Sequence, residues 1–121
     1  MTRPGGAWTV RLAAAAEADF GQILAWAREQ FGEAQAFAYA DTIALALEAL
    51  LESPETIGVK PRGDIMKGLS CLHVARQGRK GRHFIMFRVA RGAQTDVIEV
   101  LRILHDSMDL PRHLSGERED R

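Results

Sequence analysis

Asp96-Val97-Ile98-Glu99-Val100-Leu101-Arg102-Ile103-Leu104-His105 is the stretch that decides the fold. It is rich in Val, Ile and Leu, with a turn cluster before it and a polar cluster after it. That pattern predicts a buried, central β-strand. Glu99 and Arg102 fall on opposite faces of such a strand. A charge inside an apolar strand is unfavourable unless paired or at a rim, so both are expected near the sheet's ends with their heads in water. The strand runs into His105, where a side chain is free to bind or to do chemistry. Beyond it lies Asp106-Ser107-Met108-Asp109-Leu110-Pro111-Arg112-His113-Leu114.

Working outward, Arg91 to Thr95 reads as the turn into this strand. His83 to Ala90 reads as its partner, with Phe84, Ile85, Met86, Phe87 and Val89 nearly continuous. Leu69 to Arg76 is a weaker strand. Between these two, Gln77-Gly78-Arg79-Lys80-Gly81 is expected to project into solvent. Glu55 to Gly68 carries Gly58, Pro61, Gly63 and Gly68 and reads as a loop. At the other end of the chain, Trp8-Thr9-Val10-Arg11-Leu12 alternates as a half-buried strand does.

Two helices fill the remainder. Ala13 to Phe31 has Ala16, Phe20, Ile23, Leu24, Ala27 and Phe31 at helical spacing, and Gly32 stops it. Trp26 falls off that stripe, so it either packs at a boundary or meets a partner. Glu33 to Ser53 places Phe37, Ala40, Ala44, Leu47 and Leu51 on one stripe, widened by Ile43 and Leu50. Ser53-Pro54 ends it. The link at Gly32 is so short that the helices must form an antiparallel hairpin. The expected fold is therefore α+β: an N-terminal strand, a helical hairpin, then a three-stranded antiparallel meander completing a small sheet, one face or edge of which the helices leave uncovered. Residues 1–121 are expected to be one domain, with 1–7 and 115–121 loose.

A chain of 121 residues, 46% apolar, supports one modest core. Its formal net charge is zero, so global charge points to no nucleic-acid partner. Cys71 is the single cysteine, which fits a reducing cytoplasm. No cofactor motif is present. His73 and His83 flank the basic loop but lack a carboxylate at metal-binding spacing. Neither an export signal nor a membrane-spanning stretch is expected.

Charge is uneven along the chain. Ile65 to Thr95 holds no Asp or Glu but contains Lys67, Arg76, Arg79, Lys80, Arg82, Arg88 and Arg91. A locally basic hairpin suits RNA, DNA or an acidic peptide, or is simply a solvated surface balanced by nearby acids.

Arg102 to Leu114 resembles the C-terminal signature of the RelE/ParE superfamily of bacterial toxins, in its ParE-like branch. Ala16-Glu17-Ala18-Asp19-Phe20 with Ile23, Phe31-Gly32, Tyr39 with the leucines to Leu51, and Ser53-Pro54 resemble that family's two helices in order. Gly68 to Val74 and Arg82 to Val89 resemble its middle strands, although the Gln77 to Gly81 insertion departs from the usual tight turn. The resemblance implies the toxin of a type II toxin–antitoxin pair of the plasmid-stabilization kind. It implies a protein inhibitor of DNA gyrase, neutralised by a ParD-like antitoxin and touching DNA only through it. On this view Arg82, His105 and Met108 contact the target. Trp26, Phe37 and the outer edge around Ile43 and Leu50 would receive an amphipathic antitoxin helix, whose acids would meet Arg88 or the hairpin arginines. The alternative is a RelE-like ribosome-dependent mRNA endonuclease using Arg82, Arg88 and His105. Against it stands the lack of a C-terminal tyrosine, since Tyr39 lies in a helix. His105 remains open as a hydrogen-bonded strand end, a target contact or a proton-transfer group.

Overall fold

The computed structural model describes residues 8–91 and 96–107. In chain order its elements are β1 (Trp8–Leu12), α1 (Ala14–Phe31), α2 (Glu33–Glu52), β2 (Lys60–Pro61), β3 (Ser70–His73), β4 (His83–Ala90) and β5 (Asp96–His105). The strands form one sheet in the order β1-β5-β4-β3-β2. β5 runs antiparallel to β4 and parallel to β1, so the deciding stretch is an interior strand as expected. The α+β architecture, the helical hairpin and the β3-β4-β5 meander all stand.

Two boundaries differ from expectation. β2 lies inside the expected loop, where Lys60 pairs with Cys71 and Pro61 with Ser70. Its place at the sheet edge tolerates Pro61, whose missing N–H is not needed there. The weaker middle strand spans only Ser70–His73.

Gly32 separates the helices at φ 95°, and its N–H caps α1 by donating to the Arg28 carbonyl. A positive φ there is unfavourable for any residue with a Cβ, which is why glycine holds the position. The helices pack on one sheet face. Ile43, Ala46 and Leu50 of α2 meet Leu72, Ile85, Phe87, Ile98 and Val100 in the main core. Ile43 and Leu50, expected on an outer edge, are thus fully buried. Phe37, placed on the core stripe by its spacing, is 72% exposed. α2 is apolar on more than one side, and contact with the sheet selects which stripe becomes core. By length and composition α2 could cross a membrane, contrary to expectation, but its Ile43, Ala46 and Leu50 lie in this core.

The opposite sheet face is partly covered by the segment before β3. Ile65 and Leu69 fold over Cys71, Met86 and Leu104 to make a second, smaller core. Further along the same face, Arg11, Glu99 and Arg88 form a row across β1, β5 and β4. Arg88 Nε donates to Glu99 Oε1 at 2.9 Å and Arg11 Nη2 to Oε2 at 3.1 Å.

A bulge in β5 sets up the functional end. Met86 pairs with Arg102 but Phe87 with Val100, so Leu101 is the extra residue. Bulges bend a strand and re-aim its side chains. Here Arg102 reaches α1, where its Nε and Nη2 donate to the Asp19 carboxylate at 2.8 and 2.9 Å. The Ile103 N–H donates to the same carboxylate at 2.9 Å. Arg102 was expected to reach water from a sheet end; it is instead mostly buried, in a fork-to-fork pair that ties helix to sheet.

Candidate functional site

Where β3 and β5 end and β4 begins, the sheet gathers Tyr39, His73, Arg82, His83, His105 and Asp106. Asp106 is the hub. Its Oδ1 accepts from Arg82 Nε at 3.0 Å, and its Oδ2 meets His73 Nε2 at 2.9 Å. Its own N–H donates to the Arg82 carbonyl. The Arg82 guanidinium first, and His73 second, hold the Asp106 carboxyl at about 2, below its ordinary 3.8. The carboxylate therefore stays charged and keeps the turn after β5 against the start of β4.

His83 sits behind this hub and is 9% exposed. Its Nδ1 lies 2.7 Å from the Tyr39 hydroxyl, which also accepts the Arg82 N–H at 3.0 Å. Burial, then the neighbouring His105 ring, lowers His83 from 6.5 to about 4, so the imidazole is neutral at pH 7. Burial likewise raises the Tyr39 phenol. Gly81 makes this approach possible: a Cβ there would stand 2.5 Å from Val74 Cγ2 and 3.1 Å from the Tyr39 hydroxyl. The His105 ring meets His83 edge-on, centroids 5.2 Å apart, and its Nδ1 lies 2.8 Å from Ser107 Oγ.

Of the expected site residues, Arg82 and His105 do converge, through Asp106 and His83. Arg88 does not join them; it is bound to Glu99 on the helix-free face. The expected nuclease set is thus not brought together. Met108 lies outside the described residues. His73 and His83, weighed as a metal pair, go separate ways to Asp106 and Tyr39. Among the described residues no group of three His, Cys, Asp or Glu could hold a metal ion.

Sequence reasoning passed over Tyr39 and Asp106, and weighed His83 only as half of a metal pair. Tyr39 was set aside for being helical, yet its hydroxyl reaches the sheet end. The usable signal was the helical register, because Tyr39, Ile43, Ala46 and Leu50 share one side of α2.

The basic loop is also tied down. Arg79 Nε donates to Thr42 Oγ1 at 2.9 Å and Nη2 to the Ala38 carbonyl at 3.1 Å, with Asp41 at 3.3 Å. The insertion thus folds back on α2, where projection into solvent was expected.

A second candidate surface is the outer side of the helical hairpin. Trp26 is 55% exposed, on the flank of α1 that faces the end of β5, and meets the exposed Phe31 edge-on at 5.5 Å. Phe37 borders a shallow groove of about 230 Å³ between the helices, lined also by Leu24, Ala25, Ala36 and Ala40. Trp26 and Phe37 are both exposed, whereas Ile43 and Leu50 cannot join them from the core. Arg88 is on the far face of the sheet, so one short docked helix cannot meet it and Phe37 together.

A family model described as the ParE toxin of the type II toxin–antitoxin system parDE matches residues 10–110. The fold is similar to that of a solved chain titled a chromosomal ParDE TA system from P. aeruginosa, with a TM-score of 0.64 at 19% identity. That match covers 81% of this chain and 95% of the other. No curated protein sequence matches the chain.

Proposed function

We propose that this chain, which belongs to the ParE toxin family of type II toxin–antitoxin systems, inhibits DNA gyrase in the cytoplasm and is silenced by a ParD-like antitoxin. The observation that carries the antitoxin half is the outer hairpin face. Phe37 is exposed there beside a groove between the two helices, and the exposed Trp26 and Phe31 add apolar surface further around α1. Exposed apolar clusters on this scale mark partner surfaces. An amphipathic antitoxin helix would lay its apolar side into the groove, forming a hetero-oligomer. DNA would be met only through the antitoxin.

The target half rests on family membership and on the separation of Arg88 from Arg82 and His105. Proton transfer to and from an RNA hydroxyl needs groups converging on one phosphate. Arg88 is held by Glu99 away from Arg82 and His105. An inhibitor that grips a protein needs no such convergence, and no cofactor.

Induction without antitoxin tests the reading, with DNA supercoiling and double-strand breaks followed beside translation and mRNA integrity. Altered supercoiling and breaks with intact mRNA are expected. Codon-linked mRNA cuts that vanish in His105→Ala would replace this reading with the endonuclease. For the antitoxin, Trp26→Ala and Phe37→Ala should each weaken calorimetric affinity by about 2 kcal/mol without unfolding the toxin. Unchanged affinity would move the antitoxin surface elsewhere.

A further inference from the structure

A cleft of about 470 Å³ lies between α1 and the end of β5, with Trp26 at its lip and His83, Ile103 and His105 along one wall. Three observations say what it can take.

The first is an open strand edge. β1 ends at Leu12, opposite Val100. Among the described residues, Leu101–His105 therefore has no strand on that side. Ile103 turns its N–H this way, to Asp19. In an antiparallel pair a residue's N–H and C=O point the same way, and residues two apart share a direction. The Ile103 C=O and the backbone of His105 therefore face the cleft too. Such an edge is matched by an extended peptide.

The second is a hydrogen-bond donor without an acceptor. The Tyr39 hydroxyl accepts the Arg82 N–H and lies 2.7 Å from His83 Nδ1, to which it can donate its own proton. In that arrangement the neutral ring carries its proton on Nε2, the ring nitrogen away from Tyr39. Among the described residues Nε2 has no partner, although the side chain is nine-tenths buried and lines the cleft.

The third is charge. Arg102 is matched by Asp19, and Gln22, Ile23, Trp26, Ile103, Leu104 and Ser107 bring no charge. Nothing in the cleft favours a phosphate or a carboxylate, whereas an uncharged acceptor fits.

We propose that this cleft is where the toxin grips its target protein. An extended, uncharged target segment lies along Leu101–His105 as a short added strand. One of its carbonyl or side-chain amide oxygens accepts from His83 Nε2, and an apolar side chain packs on Trp26 and Ile23. The identity of the target rests on the gyrase reading above. The groove beside Phe37 shares no lining residue with this cleft, so the two surfaces are separate.

The test uses purified full-length toxin and DNA gyrase. Gln22→Trp, on the exposed rim of α1, should plug the cleft without entering the core. His83→Phe keeps a ring but removes the donor. Both folded variants should inhibit supercoiling at least about 10-fold less well than wild type, as loss of an interface centre does. Hydrogen exchange in the toxin should slow at Ile103 to His105 when gyrase is added. If wild-type toxin leaves supercoiling untouched, the gyrase reading fails and this inference falls with it. If wild type inhibits and both variants inhibit equally well, without slowed exchange at Ile103 to His105, this inference alone is overturned. Slowed exchange that appears with antitoxin but not with gyrase assigns the cleft to the antitoxin and overturns it as well.

Discussion

Leu50 and Leu51 are adjacent on α2 and face opposite fates. Leu50 is fully buried against the sheet, whereas Leu51 is 39% exposed on the outer side. The same division runs the length of the helix, with Ile43 and Ala46 inside and Phe37 and Leu45 outside. Composition does not distinguish the two sides; contact does. The inner side has β4 and β5 to cover it. The outer side carries apolar surface that no sheet strand meets, and apolar surface in water is a free-energy reserve for association. One helix thus holds the fold together with one face and offers a partner the other.

The largest expected effect breaks this contrast directly. Leu50→Ala should cost about 3 kcal/mol in urea denaturation, because it opens a cavity among Ile85, Phe87 and Ile98. Leu51→Ala should cost less than about 1 kcal/mol, since its side chain is already partly in water. Equal losses would mean that the outer face is also structural, and the partner surface would have to be sought elsewhere.

Acid should separate the inner sheet from its functional end. His83 titrates at about 4 in the folded chain against 6.5 ordinarily, because burial penalises its charged form. At neutral pH both folded and unfolded chains carry it neutral, so it adds no pH slope there. As pH falls below about 6.5 the unfolded chain takes up a proton that the folded chain refuses. Stability therefore drops through that window and levels just below pH 4, by roughly 3 kcal/mol. Asp106 contributes a second loss as pH falls from 3.8 toward about 2, where its bonds to Arg82 and His73 give way. His83→Phe should flatten the first step and leave the second. A wild-type melting temperature unchanged between pH 7 and 4.5 would show that the His83 ring is reached by water.

The main strand was legible because its Val, Ile and Leu run is bounded by turn residues, and Gly32 with Pro54 framed the two helices. The bulge at Leu101 was not, because an extra residue in β5 is defined only by what β4 places opposite it. Without the bulge, Arg102 has no reason to turn toward Asp19, so its pairing was hidden as well. Ile43 and Leu50 were misplaced because an all-round apolar helix offers several stripes of equal periodicity. The sheet-end cluster draws on α2, β3, β4 and the turn after β5, and no local spacing records that convergence. His105 and Arg82 were visible as chemically capable side chains; Tyr39, His83 and Asp106 gain meaning only from their mutual distances.

The smallest effect concerns the flank of α2 that the basic loop covers, and it sharpens where the free outer face begins. Arg79 and Lys80 are neighbours of like charge in the inserted loop. Arg79 is bonded to Thr42, itself buried, to the Ala38 carbonyl and to Asp41. Lys80 is exposed. Gln77 at φ 54° and Gly78 at φ 83° turn the chain back so that Arg79 can reach the helix. A hydrogen bond from a guanidinium to a part-buried hydroxyl contributes on the order of 1 kcal/mol, and the half-exposed Asp41 pair adds little. Arg79→Ser should therefore lower stability by about 1 kcal/mol, whereas Lys80→Ser should change it by less than about 0.5 kcal/mol. Denaturant titration of the two single variants resolves the difference. If they match, Arg79 is only resting on α2, and the apolar outer face extends past Thr42 toward the sheet end. If Arg79 alone matters, the loop is a fixed border, and an antitoxin helix laid beside Phe37 must stop short of it.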